Sequence, residues 1–324
     1  MLPQPAEPSA GARYVPVVED RRQRDASSFD YEAATWGADR IRPNGWSIAS
    51  YRLAEVLAGL PERGRVLEVG CGAGRYLRAL AELRPDLELV GCDVSHSALD
   101  QLASRAPAIE GRLIVDEALP AESGEFEAVL VIDVLEHVPD PLALLREVRR
   151  VLADGGRFHL HAPCEGDPLS LWRWLPGQSG PEALKRRLGG HLQRFRRRQL
   201  LDTLGRVGFE TVRVRNSLHV LGNMADVAAF LRLRRANRDG AAAKTTGDLV
   251  AAGDWWVRGV DAALWAEARL LSRVPSWSVH VWSRRLATLE NDEVALLEQR
   301  DVVTVQEGHD FGAEVQPVRN PIDA

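Results

Sequence analysis

A chain of 324 residues with 45% hydrophobic residues is long enough for one large folded domain plus additions, and it has enough apolar side chains to fill a core. Its net charge of −5 argues against a dedicated nucleic-acid binder. There is no unbroken apolar run of about 18 residues, which argues against a transmembrane helix. The first residues lack the apolar stretch of a signal peptide, and the 3 cysteines fit a reducing compartment, so we predict a cytoplasmic protein.

The N-terminal part of the chain divides into two segments. Residues 1–28 are rich in Pro, Gly and charge, which predicts a disordered tail. Residues 29–63 carry helical patterns ahead of the first strand, and we interpret them as a helical cap.

A glycine-rich loop then follows an apolar strand. The segment from Val66 to Arg75 reads VLEVGCGAGR and leads into an amphipathic helix. Each glycine lets a ligand approach the backbone closely or lets φ be positive, and a helix start presents unpaired N–H groups. This pattern predicts a site for a nucleotide-like ligand.

The next strand ends in Asp93, nineteen residues after Gly74. An acid at this distance, at the tip of the neighbouring parallel strand, is placed to accept hydrogen bonds from ribose hydroxyls. A dinucleotide fingerprint, G-x-G-x-x-G, would need glycine where Arg75 stands, so nicotinamide cofactors are disfavoured.

The loop resembles the first motif of the class I S-adenosylmethionine-dependent methyltransferases. Glu68, Gly70, Gly72 and Gly74 match its acid and its three glycines. The resemblance implies S-adenosylmethionine as cofactor, with these residues, Cys71 between the glycines, Asp93 and Val94 in contact with it. It extends over about residues 29 to 222 and points to the small-molecule branch that includes the ubiquinone-type enzymes.

Two further segments carry the resemblance. Asp116, Glu117 and Ala118 follow the apolar run LIV and look like the part that binds adenine in the family. The stretch FEAVLVIDVLEHV resembles the family's fourth-strand motif, and it places Asp133 near the cofactor and His137 on the ligand side of the sheet. His137 is a candidate general base or, alternatively, a structural residue at a helix start.

Residues 164–195 read as a long insertion after the fifth strand, which we interpret as a lid. His191 lies on this lid and is the second candidate base, with structural capping as the alternative. The basic run that begins at Lys185 is either a solvated helix face or an attraction for an acidic acceptor. No metal ligands are predicted.

The C-terminal third is less specific. Residues 208–215 alternate as a strand, and residues 217–221 are predicted to be its hairpin partner. We interpret residues 223–286 as a helical extension, and residues 287–324 as a helix end and a disordered acidic tail. The Trp- and Arg-rich stretch 249–285 is predicted to be a helix packed on the main domain, and a peripheral membrane helix is the alternative.

The predicted fold class is α/β, with a Rossmann-like, doubly wound, mostly parallel seven-stranded sheet over residues 64–222 and an antiparallel last strand. The resemblance implies methyl transfer to a small or lipophilic acceptor and favours an oxygen nucleophile, without nucleic acid. The alternatives are carbon, nitrogen or RNA acceptors, and a non-catalytic cofactor-binding or membrane-associated scaffold. The oligomeric state is left open.

Overall fold

The computed structural model describes residues 40–116, 118–174, 185–186, 189–236 and 255–287. The tail predicted for 1–28, the start of the predicted cap and almost all of 287–324 lie outside the described residues. The described part of the cap holds one helix. Ser47 begins it by accepting a hydrogen bond from the Ser50 N–H, a typical N-cap.

The described helices and strands alternate along the first half of the chain. The helices are α1 (Ile48–Leu57), α2 (Arg75–Leu83), α3 (His96–Arg105), α4 (Pro141–Val151), α5 (Leu171–Trp174), α6 (Arg197–Arg206), α7 (Val220–Ala236) and α8 (Trp255–Leu271). The strands are β1 (Gly64–Val69), β2 (Leu87–Asp93), β3 (Glu110–Leu113), β4 (Phe126–Ile132), β5 (Leu152–Pro163), β6 (Phe209–Ser217) and β7 (Ser278–Arg285). A 3-10 turn, Leu135–His137, follows β4.

The strands form one seven-stranded sheet in the order β3-β2-β1-β4-β5-β7-β6. β1 to β5 pair in parallel, whereas β7 is antiparallel to both of its neighbours, β5 and β6. The predicted fold class is therefore confirmed, including the antiparallel last strand. The carboxyl ends of β1, β2, β4 and β5 meet at one edge, which is where ligands bind in sheets of this type.

The predicted pairing partner of β6 was wrong. The hairpin partner of β6 is not 217–221, where β6 ends and α7 soon begins, but β7, about sixty residues later. The helix predicted over 249–285 is described only from Trp255 to Leu271, and residues 278–285 are a strand inside the sheet. The physical reason is the period-2 alternation of Val279 and Val281 with His280 and Trp282, which buries both faces of β7.

Helices cover both faces of the sheet. On one face α4 and α6 pack on β4, β5 and β7, and on the other face α1, α2 and α3 pack on β1 and β2. Trp282 packs in the core on the second face and is 5% exposed. Its indole N–H donates to the Glu55 carbonyl at 2.7 Å. Trp277 is also buried, at 1% exposure, so the interfacial-helix alternative for 249–285 does not hold for its last part. Among the described residues, no helix has the length and apolar character to cross a membrane.

Candidate functional site

A cavity of about 790 Å³ opens at the carboxyl edge of the sheet. Its size is in the range that holds cofactor-sized ligands. Nine of the residues predicted for the site lie in its wall: Glu68, Gly70, Cys71, Gly72, Asp93, Val94, Asp133, His137 and His191. The fold thus brings the predicted cofactor residues and both candidate bases into one space.

The glycine loop has the backbone conformation that its sequence predicts. Gly70, Gly72 and Gly74 have φ values of 67°, 54° and 72°, which non-glycine residues rarely adopt. A Cβ on Gly70 would lie 2.5 Å from the Val134 side chain, and one on Gly74 would lie 2.3 Å from Leu102. Gly74 is the N-cap of α2 and does not line the cavity, so packing explains this glycine.

Asp93 ties the tip of β2 to the glycine loop. One carboxylate oxygen accepts the Gly72 N–H at 2.7 Å, and the other accepts the Ser95 N–H at 2.9 Å. The Gly70 and Cys71 amides donate to the Cys92 carbonyl next to it, at 2.8 and 3.0 Å. A carboxylate has about four lone-pair positions, so Asp93 can hold the loop and still accept bonds from a ligand.

Glu68 is buried beneath the loop at 2% exposure. Burial raises the pKa of its carboxyl group to about 8, although the charge of Arg75 opposes this shift. Its Oε2 atom has no hydrogen-bond partner among the described residues. A buried, unsatisfied carboxyl oxygen in a cavity wall is suited to receive a donor from a ligand.

The predicted adenine segment is placed differently. Asp116 and Ala118 are exposed and stand outside the cavity wall, and Glu117 is outside the described residues. Ile114 and Leu119, the apolar residues on either side, line the cavity instead. An adenine contact by Asp116 therefore stays a prediction, and the sequence reasoning missed the two apolar neighbours.

Asp133, at the end of β4, is held from two sides. Its carboxylate pairs with the Arg52 guanidinium from α1, and it lies 2.8 Å from His161 Nδ1 on β5. His161 Nε2 in turn contacts the Ser278 hydroxyl of β7 at 2.9 Å. Despite burial, Arg52 and His161 hold the pKa of Asp133 well below its usual range. Arg52, His161 and Ser278 all line the cavity, and none was predicted because they come from three separate elements.

His137 and His191 are neighbours, with ring centroids 4.8 Å apart. His137 Nδ1 lies 3.1 Å from the Gly190 carbonyl, so this nitrogen carries the proton and Nε2 is unprotonated. Burial, followed by the nearby His191, lowers the pKa of His137 to about 4. His137 is therefore neutral at pH 7 and a weak proton acceptor.

His191 has a carboxylate partner. Its Nδ1 lies 3.0 Å from Glu165 Oε1, and the same oxygen lies 2.7 Å from the ammonium group of Lys185. The predicted lid is anchored here, because the Leu192 and Gln193 amides donate to the Glu136 carbonyl at 2.8 and 3.0 Å. Sequence reasoning missed Glu165, although an acid directly after a parallel strand at the ligand edge was a usable signal.

Glu136, His137 and His191 each offer a potential metal-ligand atom, and these atoms lie within 4.8 Å of one another. Burial, followed by the charge of Asp133, raises the pKa of Glu136 well above its usual range, which favours the protonated carboxyl group. Two histidines and a carboxyl group could hold a divalent ion once the carboxyl group loses its proton. That the site uses no metal therefore stays a prediction, which a chelator can test.

Comparison with protein families finds one match over half of the chain. The family model described as "Methyltransferase domain" matches residues 41–214, which include the glycine loop, Asp93, Asp133 and both histidines. The match ends before α7, α8 and β7.

The relatives cover less of the chain. A ubiquinone biosynthesis O-methyltransferase from Xanthomonas oryzae pv. oryzae is 35% identical over 133 residues, which is 39% of this chain and 54% of that protein. An uncharacterized 37.1 kDa protein in transposon TN4556 of Streptomyces fradiae is 38% identical over 109 residues, 32% of this chain and 31% of that protein. The aligned part thus spans about half, or less, of these relatives' own length.

The fold is similar to that of the 4+2 cyclase SpnF. The crystal structure of that protein matches with a TM-score of 0.50 and 19% identity, over 77% of this chain and 86% of that chain. At this identity the likeness supports the fold and says nothing of the reaction.

Proposed function

Because the chain belongs to the methyltransferase domain family, we propose that it transfers a methyl group from S-adenosylmethionine to an oxygen atom of a small, lipophilic acceptor. One observation carries the proposal. The cavity that contains the glycine loop also contains a histidine, His191, with a buried carboxylate at its Nδ1. A base oriented by an acid, beside a cofactor loop, is suited to remove a proton from a hydroxyl group.

The residues of the cavity fit the cofactor. S-adenosylmethionine has an amino group and ribose hydroxyls that need acceptors, and Glu68 and Asp93 provide carboxyl oxygens in the wall of one cavity. Glu68 Oε2 has no partner in the described structure, which suits the ammonium donor of the methionine part. When bound, the cofactor would supply a methyl group on a positively charged sulfur, which would keep the electron pair of the broken bond.

The protein's own contribution is to align the acceptor, exclude water and accept a proton. Alignment can supply roughly 7–11 kcal/mol of the barrier, and a positioned base adds about 10²–10⁴-fold. A proton acceptor works best when its pKa is near the working pH. With a pKa of about 4, His137 fits this role poorly. We therefore assign the proton transfer to His191, whereas His137 only lines the cavity.

The acceptor end of the cavity supports a lipophilic molecule. Trp277, Phe230, Leu218, Pro163 and Leu192 bring apolar surface to its wall. Lys185 and Arg186 bring positive charge to this part of the wall. Two carboxylates already pair with Lys185, Glu165 at 2.7 Å and Asp226 at 2.8 Å. A lysine neutralised in this way gives little attraction to an acidic acceptor. The ubiquinone O-methyltransferase relative is consistent with an oxygen acceptor of this kind.

The test uses three acceptors that differ only in the nucleophile. Catechol, 2-aminophenol and 1,2-diaminobenzene share one ring size, and labelled S-adenosylmethionine reports transfer to each. We expect transfer to the hydroxyl compounds, with the position confirmed by mass spectrometry. Methylation of the diamine at equal or higher rate would contradict an oxygen acceptor and favour a nitrogen acceptor.

A further inference from the structure

Leu218 has a backbone conformation that leucine rarely adopts. Its φ is 56°, in the left-handed region, where the Cβ atom of an L-residue crowds the backbone. The other two non-glycine residues with positive φ in the described part of the chain are Asp116 and Asp133, and aspartate tolerates this region better. Glycine would remove the strain. A leucine at this position therefore indicates that its side chain serves a purpose.

The turn from β6 to α7, residues 217–222, is held by buried polar groups. The Ser276 hydroxyl lies 3.1 Å from the carbonyl oxygen of Leu218 and 2.6 Å from the carbonyl oxygen before it. Glu267 on α8 accepts three backbone amides of the turn at 2.7–3.1 Å. Both Ser276 and Glu267 are buried. A change of φ at Leu218 would break such bonds in the interior, so the strained conformation persists.

The Leu218 side chain is half-buried and lines the cavity. It lies over Gly222 in the first turn of α7. A Cβ atom on Gly222 would stand 2.5 Å from the Leu218 Cβ atom and 2.9 Å from its Cδ2 atom. Glycine weakens a helix, and here it provides the room that the leucine needs. Two residues that are locally unfavourable thus serve the position of one apolar side chain.

Leu218 belongs to the acceptor end of the cavity. Ser276, which contacts its carbonyl group, directly precedes Trp277 and Ser278, and both of these line the cavity. The Trp277 ring centroid lies 5.2 Å from Lys185 Nζ, also at the acceptor end. Residues 217–222 and Ser276 lie beyond the matched residues 41–214, so this part of the wall is particular to the C-terminal part of the chain.

We propose that Leu218 is a specificity-determining residue, whose side chain contacts the acceptor and limits the bulk that the acceptor can carry. The strained turn is retained because it directs this side chain into the cavity. The inference rests on the proposed function, in which a lipophilic acceptor fills this end. A smaller residue at position 218 enlarges the acceptor end and shifts the preference towards bulkier rings.

The experiment is calorimetric titration of the full-length protein, saturated with S-adenosylhomocysteine, with catechol and with 4-tert-butylcatechol. The readout is the ratio of the two Kd values, which a purely structural role of Leu218 would not move. We expect the wild type to bind catechol more tightly. Leu218→Ala and Leu218→Gly should each shift the ratio towards 4-tert-butylcatechol by about tenfold or more, because both remove the isobutyl group.

Leu221→Ala is the matched control. Leu221 lies in the same turn, but its side chain is 48% exposed and outside the cavity wall, so the ratio should stay at the wild-type value. An unchanged ratio in both Leu218 variants, or an equal shift in Leu221→Ala, would overturn the inference. A shift in Leu218→Gly alone would overturn it as well, because movement of the turn rather than side-chain bulk would then set the preference.

Urea unfolding tests the strain separately. Leu218→Gly should unfold at a higher urea concentration than Leu218→Ala, because the alanine Cβ atom keeps a positive φ unfavourable and glycine does not. The reverse order would show that the turn is not strained, and the reason given for the leucine would be wrong.

The failure of the proposed function has a different signature. If the Kd ratio shifts as expected but no labelled methyl group reaches either catechol, oxygen transfer fails and the role of Leu218 stands. If methyl transfer occurs and the ratio does not shift, only the role of Leu218 fails. If neither compound binds the wild type or any variant, the acceptor end is misplaced and both fail.

Discussion

The two ends of the cavity are built in different ways. The cofactor end consists of the glycine loop and Asp93, which lie within about 25 residues and touch through backbone bonds such as the Gly72 amide to Asp93. The acceptor end joins Glu165, Lys185, His191, Asp226 and Trp277, which are spread over more than 110 residues. A local motif thus forms the first end, and tertiary packing of distant segments forms the second.

The largest expected effect is at the cofactor end. Gly72→Arg should abolish binding of S-adenosylhomocysteine, because the new side chain enters the cavity and φ at this position is 54°. Gly155→Arg is the matched control, since Gly155 has φ 71° but has open space where a Cβ would go. Calorimetry on both variants separates ligand contact from backbone strain. Equal loss of binding in the two variants would mean that strain alone explains the result.

The second prediction concerns β7, the strand that lies between β5 and β6. Trp282→Ala should lower the free energy of unfolding by about 3–5 kcal/mol, because a buried indole with a hydrogen bond is lost. Trp174 is 68% exposed, so Trp174→Ala should change it by less than about 0.5 kcal/mol. Urea unfolding measures both. Near-equal values would contradict the placement of β7 inside the sheet.

The third prediction separates the two histidines. His191→Gln should reduce turnover about 10²–10³-fold without changing the affinity for S-adenosylhomocysteine. His137→Gln should have a smaller effect, because a group with a pKa of about 4 is a poor base. Steady-state rates on the best acceptor from the panel provide the comparison. A larger loss of turnover in His137→Gln than in His191→Gln would show that His137 is the base instead.

A chelator control belongs to the same experiment. If His191 acts as the base and His137 only lines the cavity, EDTA should leave the wild-type rate unchanged. Loss of activity with EDTA and its recovery on adding Mg²⁺ or Zn²⁺ would instead show that Glu136, His137 and His191 hold a metal ion.

The smallest effect is on stability at the cofactor end. Burial raises the folded-state pKa of Glu68 to about 8, above the value near 4.5 of an unperturbed carboxyl group. The folded state therefore holds a proton that the unfolded state has lost, and stability falls as pH rises from about 4.5 to 8. Glu68→Gln should remove this loss, so the variant should be more stable than the wild type at pH 8 but not near pH 4. Urea unfolding at both pH values tests this, and an equal gain at the two values would contradict a buried, protonated Glu68.

The same contrast explains what could be predicted from the sequence. The spacing from Glu68 to Asp93 encodes a strand, a loop and a second strand locally, and the structure places those residues in one cavity wall. The contacts of Asp133 with Arg52 and His161 depend on the order of strands in the sheet, which no short window contains. The origin of the antiparallel strand was missed for a similar reason. β7 alternates correctly for a strand, but it follows α8 and lies about sixty residues beyond its partner β6.

The most direct test of the central claim is calorimetric titration of the purified full-length protein with S-adenosylhomocysteine, with NAD as the parallel ligand. The account predicts saturable binding of S-adenosylhomocysteine at one site and no heat from NAD, since Arg75 replaces the third glycine of a dinucleotide fingerprint. A folded protein that binds neither ligand, or that binds NAD, would contradict the assignment of the glycine loop and Asp93 to this cofactor.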